Sequence, residues 1–155
     1  MPSKTDAIEQ RRCDLQVALD ARKSQAERNK LGQFATPTQL ARDMLTFGLG
    51  LLPEGASIRF FDPAIGTGAF YSALLAAMER QPLAWARGVE VDPHYESPAR
   101  ELWDGERLQT TLGDFTRQVA PRAESERANL LVCNPPYVRH HHLAIGEKER
   151  LQAAA

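Results

Sequence analysis

The residues best placed to do chemistry lie at Asn134-Pro135-Pro136-Tyr137, directly after the apolar run Leu130-Leu131-Val132-Cys133. Two prolines stop a strand, remove two backbone donors and rigidify the turn. Fixed acceptors remain, namely backbone carbonyls and the Asn134 side-chain carbonyl, beside the aromatic face of Tyr137. Acceptors converging next to an aromatic plate suit a flat base that carries an NH2 group. A purely structural Pro-Pro turn is the competing reading.

Three further clusters have chemical character. Asp62-Pro63-Ala64-Ile65-Gly66-Thr67-Gly68 joins a short apolar run to an Ala/Leu-rich segment. A glycine turn between strand and helix lets the backbone approach a ligand and points helix N-terminal amides at it. A dinucleotide site would call for G-x-G-x-x-G, but Tyr71 stands where the third glycine belongs. Asp62 also suits a ligand bearing positive charge better than a pyrophosphate, so a sulfonium with an amino-acid tail fits both facts. Glu90, a little over 20 residues on, stands where such folds place an acid for ribose hydroxyls. Asp114, in Gly113-Asp114-Phe115, is placed to accept from an adenine amine with Phe115 covering the ring. Taken alone, Asp114 reads equally well as a helix N-cap.

The elements that must hold these groups follow from the pattern. Residues 5–30 carry a weak apolar stripe (Ile8, Leu15, Ala18, Leu19, Ala26), which predicts a largely solvated leading helix. Residues 4–30 hold seven Lys/Arg against five acids, which reads as a solvated surface in preference to a phosphate-contacting face. Thr36-Pro37 reads as N-cap and first helical residue ahead of the stripe Leu40, Ala41, Met44, Leu45, Leu49. Strands are expected at 58–61, 85–91, 108–112 and 128–133. Helices are expected over 69–80, from a Ser97-Pro98 cap to Asp104-Gly105, and from 115 to Ala120; residues 121–127 read as a loop. Strands alternating with helices predict βαβ units and a parallel sheet. In such a sheet ligands gather at the carboxyl ends of the strands, where all four clusters fall.

Composition narrows the classes. The 155 residues suffice for one core, and a formal net charge of -1 gives no global basic field for nucleic acid. Cys13 and Cys133 lack metal spacing. The start is charged and no run is long enough for a bilayer, so a cytoplasmic protein without membrane contact is expected. His140, His141 and His142 are consecutive and cannot all face one ion on a regular element. No metal is therefore expected there, and with Arg139 they read as contacts to phosphate or a flanking strand.

The ordered series Gly32-Gln-Phe-Ala-Thr-Pro37, Asp62 to Phe70, Gly88 to Pro93, Gly113 to Phe115 and Asn134 to Tyr137 resembles the gamma class of amino DNA methyltransferases. The likeness covers about residues 31–142 and is closest in character to the adenine-specific enzymes of type II restriction–modification systems. It implies the N-terminal portion of a Rossmann-like class I S-adenosylmethionine-dependent methyltransferase fold, α/β, with leading helices and a mainly parallel sheet. By the resemblance, Thr36 contacts the methionine end of S-adenosylmethionine, and Asp62, Gly66 and Gly68 form its cradle with Pro63, Ala64 and Phe70. Glu90 binds the ribose, while Asp114 and Phe115 hold the adenine ring. Asn134 and the Pro135 carbonyl accept from the target amine, Pro136 stiffens the catalytic loop and Tyr137 stacks on the flipped base. The activity implied is that of a DNA (adenine-N6)-methyltransferase acting on double-stranded DNA.

The same likeness divides the chain into a leading helical segment (1–30), an incomplete cofactor-binding and catalytic-loop region (31–142) and a tail (143–155). The family has seven strands and a target-recognition region, so a fragment cut after the fourth strand is expected. Such a fragment would act with a complementary C-terminal piece. Asn-Pro-Pro-Tyr also serves protein-glutamine and ribosomal-RNA guanine methyltransferases, whose substrates present similar planar amines. An inactive cofactor-binding remnant is the non-enzymatic alternative, and a nicotinamide oxidoreductase fits worst.

Overall fold

The computed structural model describes residues 3–78, 81–137 and 145–154. Four parallel strands, β1 (Ile58–Asp62), β2 (Leu83–Glu90), β3 (Leu108–Leu112) and β4 (Leu130–Leu131), lie in the order β3-β2-β1-β4. The chain steps outward from β1 to β3 and then crosses back to lay β4 against the opposite side of β1. That reversal is a topological switch point, the place where open α/β sheets form ligand crevices. It sets the carboxyl ends of β1 and β4, and with them Asp62 and Asn134, side by side.

Six helices accompany the strands among the described residues: α1 (Lys4–Asp20), α2 (Gln25–Leu31), α3 (Thr38–Gly50), α4 (Ala69–Ala77), α5 (Pro93–Leu102) and α6 (Ile145–Ala154). β1 alternates as a sheet strand must. Ile58, Phe60 and Asp62 are buried, and Phe60 meets Tyr71 of α4 with ring centroids 6.0 Å apart. Phe61 faces the other way and meets Phe115 at 5.6 Å. Around Phe60 the core gathers Leu45, Leu74, Tyr71 and Trp103, and Ile8 of α1 belongs to the same cluster.

Several expectations change at this point. The leading segment is two helices, each opened by a capping box, Ser3 with Asp6 and Ser24 with Glu27. α1 is not a solvated rod, for Ile8, Arg12 and Leu19 are buried. Thr36 does not cap α3: Pro37 is the N-cap residue, without a side-chain cap bond, because Thr36 is engaged elsewhere. The helix after β2 starts earlier than Ser97, since Asp92 caps it through the His94 amide at 2.9 Å and Pro93 supplies a first-turn proline. Pro98 therefore falls inside α5. The helix expected after Asp114 shrinks to one 3-10 turn, Phe115–Arg117. β4 keeps only two ladder residues, flanked by Asn129 N–H to the Arg59 carbonyl (3.1 Å) and Val132 N–H to the Phe61 carbonyl (3.2 Å). Residues 143–155, read as a tail, include α6, whose Arg150 donates to the Thr116 carbonyl at 3.1 Å.

Candidate functional site

The glycine loop after β1 depends on its two glycines. Gly66 and Gly68 both take left-handed φ values, +53° and +89°, which side chains with a Cβ rarely adopt. A Cβ at Gly68 would lie 2.4 Å from Trp103 Nε1, whose indole N–H donates to the Thr67 carbonyl at 2.9 Å. At Gly66 a Cβ would meet nothing within 4 Å, so that side of the loop opens into free space.

The space is a small recess of about 50 Å³ at the switch point, open to solvent. It gathers Thr36, Asp62, Ala64, Gly66, Phe70 and Asn134, all named from the sequence. Pro63 and Gly68 shape the loop without lining it. Asp62 is 1% exposed and accepts from the Ala64 amide at 3.0 Å. Burial pushes its carboxyl up to about 7, the Ala64 bond opposes this, and the nearby Glu90 charge adds to it. Glu90, also buried, accepts from the Gly66 amide with Oε2 and from the Asp92 amide with Oε1, each at 3.0 Å. Burial raises its pKa against those two bonds. Two desolvated carboxylates at one loop form a site that gains from a cationic or hydroxyl-rich ligand.

The Asn134 loop is joined to the segment 32–37. The Asn134 amide nitrogen donates to the Phe34 carbonyl at 3.3 Å and to Thr36 Oγ1 at 3.2 Å. A carbonyl can only accept, so this pairing fixes which end of the amide faces Phe34 and turns Oδ1 away from it. Tyr137 N–H reaches the Gly32 carbonyl at 3.3 Å. Gly32 is left-handed (φ +63°), and a Cβ there would fall 2.3 Å from the Tyr137 nitrogen. The glycine is thus what lets the two segments touch. Tyr137 is 65% exposed, available as a stacking surface, and Pro135 and Pro136 are exposed beside it.

Glu90 borders the recess through the Gly66 amide without lining it, and Asp114 and Phe115 do not line it either. They follow Gly113, whose amide donates to the Glu90 carbonyl at 2.8 Å, so the turn adjoins the end of β2. Asp114 caps the 3-10 turn through the Thr116 amide (2.9 Å) and holds Thr116 Oγ1 (2.6 Å) and Arg117 Nε (3.2 Å). The Thr116 hydroxyl, followed by other donors, lowers its pKa. The capping reading of Asp114 is the one seen. Arg139 and His140 to His142 lie outside the described residues.

Sequence reasoning missed the part played by α1. Gln16 lines the recess, and buried Arg12 reaches the loop through Thr67. The only trace was a polar row, Glu9, Arg12, Gln16 and Asp20, at helical spacing inside a segment whose apolar stripe looked weak.

The chain is 20% identical in sequence to a candidate RNA methyltransferase from Pyrococcus horikoshii, whose crystal structure superposes with a TM-score of 0.58 over 92% of this chain and 67% of that one. The fold is that of the Rossmann-like methyltransferases. No protein-family model matches. Among curated proteins, the chain is similar to the type II methyltransferase M.XamI of Xanthomonas campestris pv. amaranthicola, 33% identical over 118 residues, 72% of this chain and 20% of that protein. It is also similar to the ribosomal RNA large subunit methyltransferase K/L of Pseudomonas paraeruginosa, 35% identical over 65 residues, 40% of this chain and 9% of that one. The chain thus spans a fifth or less of the length of these relatives, both of them methyltransferases by name. The cofactor of this fold class is S-adenosylmethionine, and the residues present fit it: buried acids for its cationic and hydroxyl groups, and a glycine whose missing Cβ leaves the loop open to a ligand. No helix among the described residues is long and apolar enough to cross a membrane.

Proposed function

We propose that this chain is the cofactor-binding and catalytic-loop part of an S-adenosylmethionine-dependent methyltransferase that methylates the exocyclic amine of adenine in DNA. One observation carries the reading. The Asn134 carboxamide is held by Phe34 and Thr36 at the switch point, beside the acidic recess, with Oδ1 turned away from both.

Bound in the recess, S-adenosylmethionine supplies an electrophilic methyl group on a sulfonium. Asp62 and the glycine loop would hold its charged end together with Thr36, and Glu90 its ribose hydroxyls. Asp114 and Phe115 would take the adenine ring. Asn134 Oδ1 and the Pro135 carbonyl accept hydrogen bonds from the target amine, whose lone pair is otherwise delocalised into the ring. Two acceptors draw it toward tetrahedral character and aim it. Positioning and electrostatics carry such a reaction without a metal. Tyr137 offers a face to a flipped base, offsetting the roughly few kcal/mol that unstacking costs.

The type II relative supports the DNA reading, since it aligns with 72% of this chain, whereas the ribosomal RNA relative aligns with 40%. The ribosomal RNA reading stays in view because that identity is as high. Methyl-labelled cofactor offered with unmethylated duplex DNA or with unmodified ribosomal RNA tests both, with the chain alone and with a downstream piece completing the sheet. N6-methyldeoxyadenosine in the nucleoside digest is the expected product. A methylated guanosine from the RNA, with unmarked DNA, would overturn the DNA assignment.

A further inference from the structure

The polar row on α1, buried at Arg12 and half-buried at its other members, has no part in the chemistry above. Its four residues, Glu9, Arg12, Gln16 and Asp20, follow at spacings of three, four and four, hence on one helical face. Among the described residues, the row's hydrogen bonds to the glycine loop converge on Thr67 Oγ1. That hydroxyl receives a hydrogen bond from Arg12 Nη1 at 3.2 Å and donates to Gln16 Oε1 at 2.7 Å. Its direction is set from outside, because the Gln16 amide nitrogen is spent on Asp20 at 2.9 Å, leaving the oxygen for Thr67. Asp20 is fixed in turn by the Tyr95 hydroxyl of α5 at 2.8 Å. At the other end the Arg12 guanidinium pairs with Glu9 through two contacts of 2.7 Å, and Glu9 takes the Thr38 hydroxyl of α3 at 2.6 Å. Thr67 is 2% exposed and Arg12 3%, so the junction itself is shut off from water.

Burying an ion pair is a poor way to stabilise a helix, since apolar residues of similar volume usually do as well or better. Ile8 and Leu19 already anchor α1 by that cheaper means. What the polar row adds is direction. Thr67 sits between two left-handed glycines, the most freely rotating links in the loop, and its backbone carbonyl is gripped from the far side by Trp103. Fixing the hydroxyl from α1 and the carbonyl from Trp103 leaves the Thr67 peptide one orientation. The Gly66 amide is then held toward Glu90 before any ligand arrives.

We propose that α1 is the positioning element of the cofactor loop: Arg12 and Gln16 act through the Thr67 hydroxyl to pre-order Gly66–Gly68 for the ligand of the recess. The proposal rests on the reading of that recess as a cofactor site. Pre-ordering improves affinity because the ordering entropy is already met before binding.

Thr67→Val removes the hydroxyl at nearly constant shape. Arg12→Lys keeps a charge for Glu9 but loses the forked guanidinium that serves Glu9 with Nε and Nη2 and Thr67 with Nη1, and Arg12 does not line the recess. Calorimetric titration with S-adenosylhomocysteine should show each weakening binding by roughly five- to tenfold, the loss expected for one or two hydrogen bonds. The double variant should be little worse than either alone. Thr67→Ser should bind within about twofold of the parent chain, as one retained hydroxyl predicts. Ile8→Ala, which removes an apolar contact of α1 but no bond to Thr67, should lower Tm at least as much and yet weaken binding less than Thr67→Val does. Amide hydrogen exchange without ligand should speed up at Gly66 and Gly68 in the Val and Lys variants, with β1 and β2 unaffected. Parent-like affinity and exchange in Thr67→Val, or equal weakening by Ile8→Ala, would overturn the proposal. If the parent chain bound no S-adenosylhomocysteine, the cofactor reading would fall, and unchanged loop exchange would then sink the positioning role as well.

Discussion

Replacing Asp62 by Asn should make the ligand-free chain more stable and the cofactor weaker, and both halves can be worked from the structure. Asp62 is 1% exposed, and burial raises its carboxyl from 3.8 to about 7. That displacement corresponds to about 4 kcal/mol between the two protonation states, an upper figure for an otherwise unrelaxed site. The native chain holds this proton more tightly than the unfolded chain does. Between about pH 4 and 7 the unfolded state has released a proton that the native state retains, so native stability falls as pH rises through that window. Above pH 7 the full penalty is present; below pH 4 there is none. Asparagine has the same shape, carries no charge, and keeps an oxygen for the Ala64 amide. Urea unfolding at pH 8, followed by the fluorescence of Trp85 and Trp103, should show Asp62→Asn more stable by up to about 4 kcal/mol. The advantage should shrink steadily toward pH 4. Comparing the variant with its parent at each pH reads Asp62 together with its coupling to Glu90, whose burial bends stability the same way. S-adenosylmethionine binding at pH 8 should weaken in the same variant. A variant no more stable than its parent at pH 8, or one whose advantage is independent of pH, would refute the reasoning.

Other perturbations have equally definite outcomes. Gly32→Ala faces both a left-handed φ and a contact of 2.3 Å with the Tyr137 backbone, so it should cost about 1–3 kcal/mol of stability. It should also free the Tyr137 amide to exchange, as hydrogen exchange would reveal. In a complete enzyme Asn134→Ala should abolish methyl transfer while cofactor affinity falls much less; wild-type turnover would remove Asn134 from the mechanism. Burial would raise the Glu9 carboxyl, but bonds from Arg12, Ser72 and Thr38 outweigh it and hold the group down at about 2. Its contribution is therefore present above pH 4.5 and lost as pH falls toward 2, and Glu9→Gln should flatten acid unfolding over that range.

Much of this was legible because the informative residues sit where period and punctuation agree. Asp62-Pro63 and Asp92-Pro93 end strands by chemistry that needs no tertiary context, so the succession of strands along the chain and the ends of β1 and β2 could be read to within a residue, whereas β4 stops at Leu131, short of Asn134. Helix starts were less legible. Asp92 and Ser97 both precede a proline, and only the sheet shows that Asp92 caps α5 while Pro98 is tolerated within it. The role of Thr36 turned on a partner 98 residues away, which no local pattern contains. α1 was misjudged for a similar reason: Arg12 counts as surface in any hydrophobic stripe until Glu9, Thr38 and Thr67 close around it.

The central claim is that the carboxyl ends of these strands form one cofactor site. Amide chemical shifts of the isotope-labelled chain, recorded while S-adenosylhomocysteine is titrated in, test it most directly. Saturable shifts are expected at Ala64, Gly66, Glu90 and the Asp114–Phe115 turn, with the amino ends of the strands unmoved. Saturable shifts confined to other surfaces, or none at millimolar ligand, would contradict it.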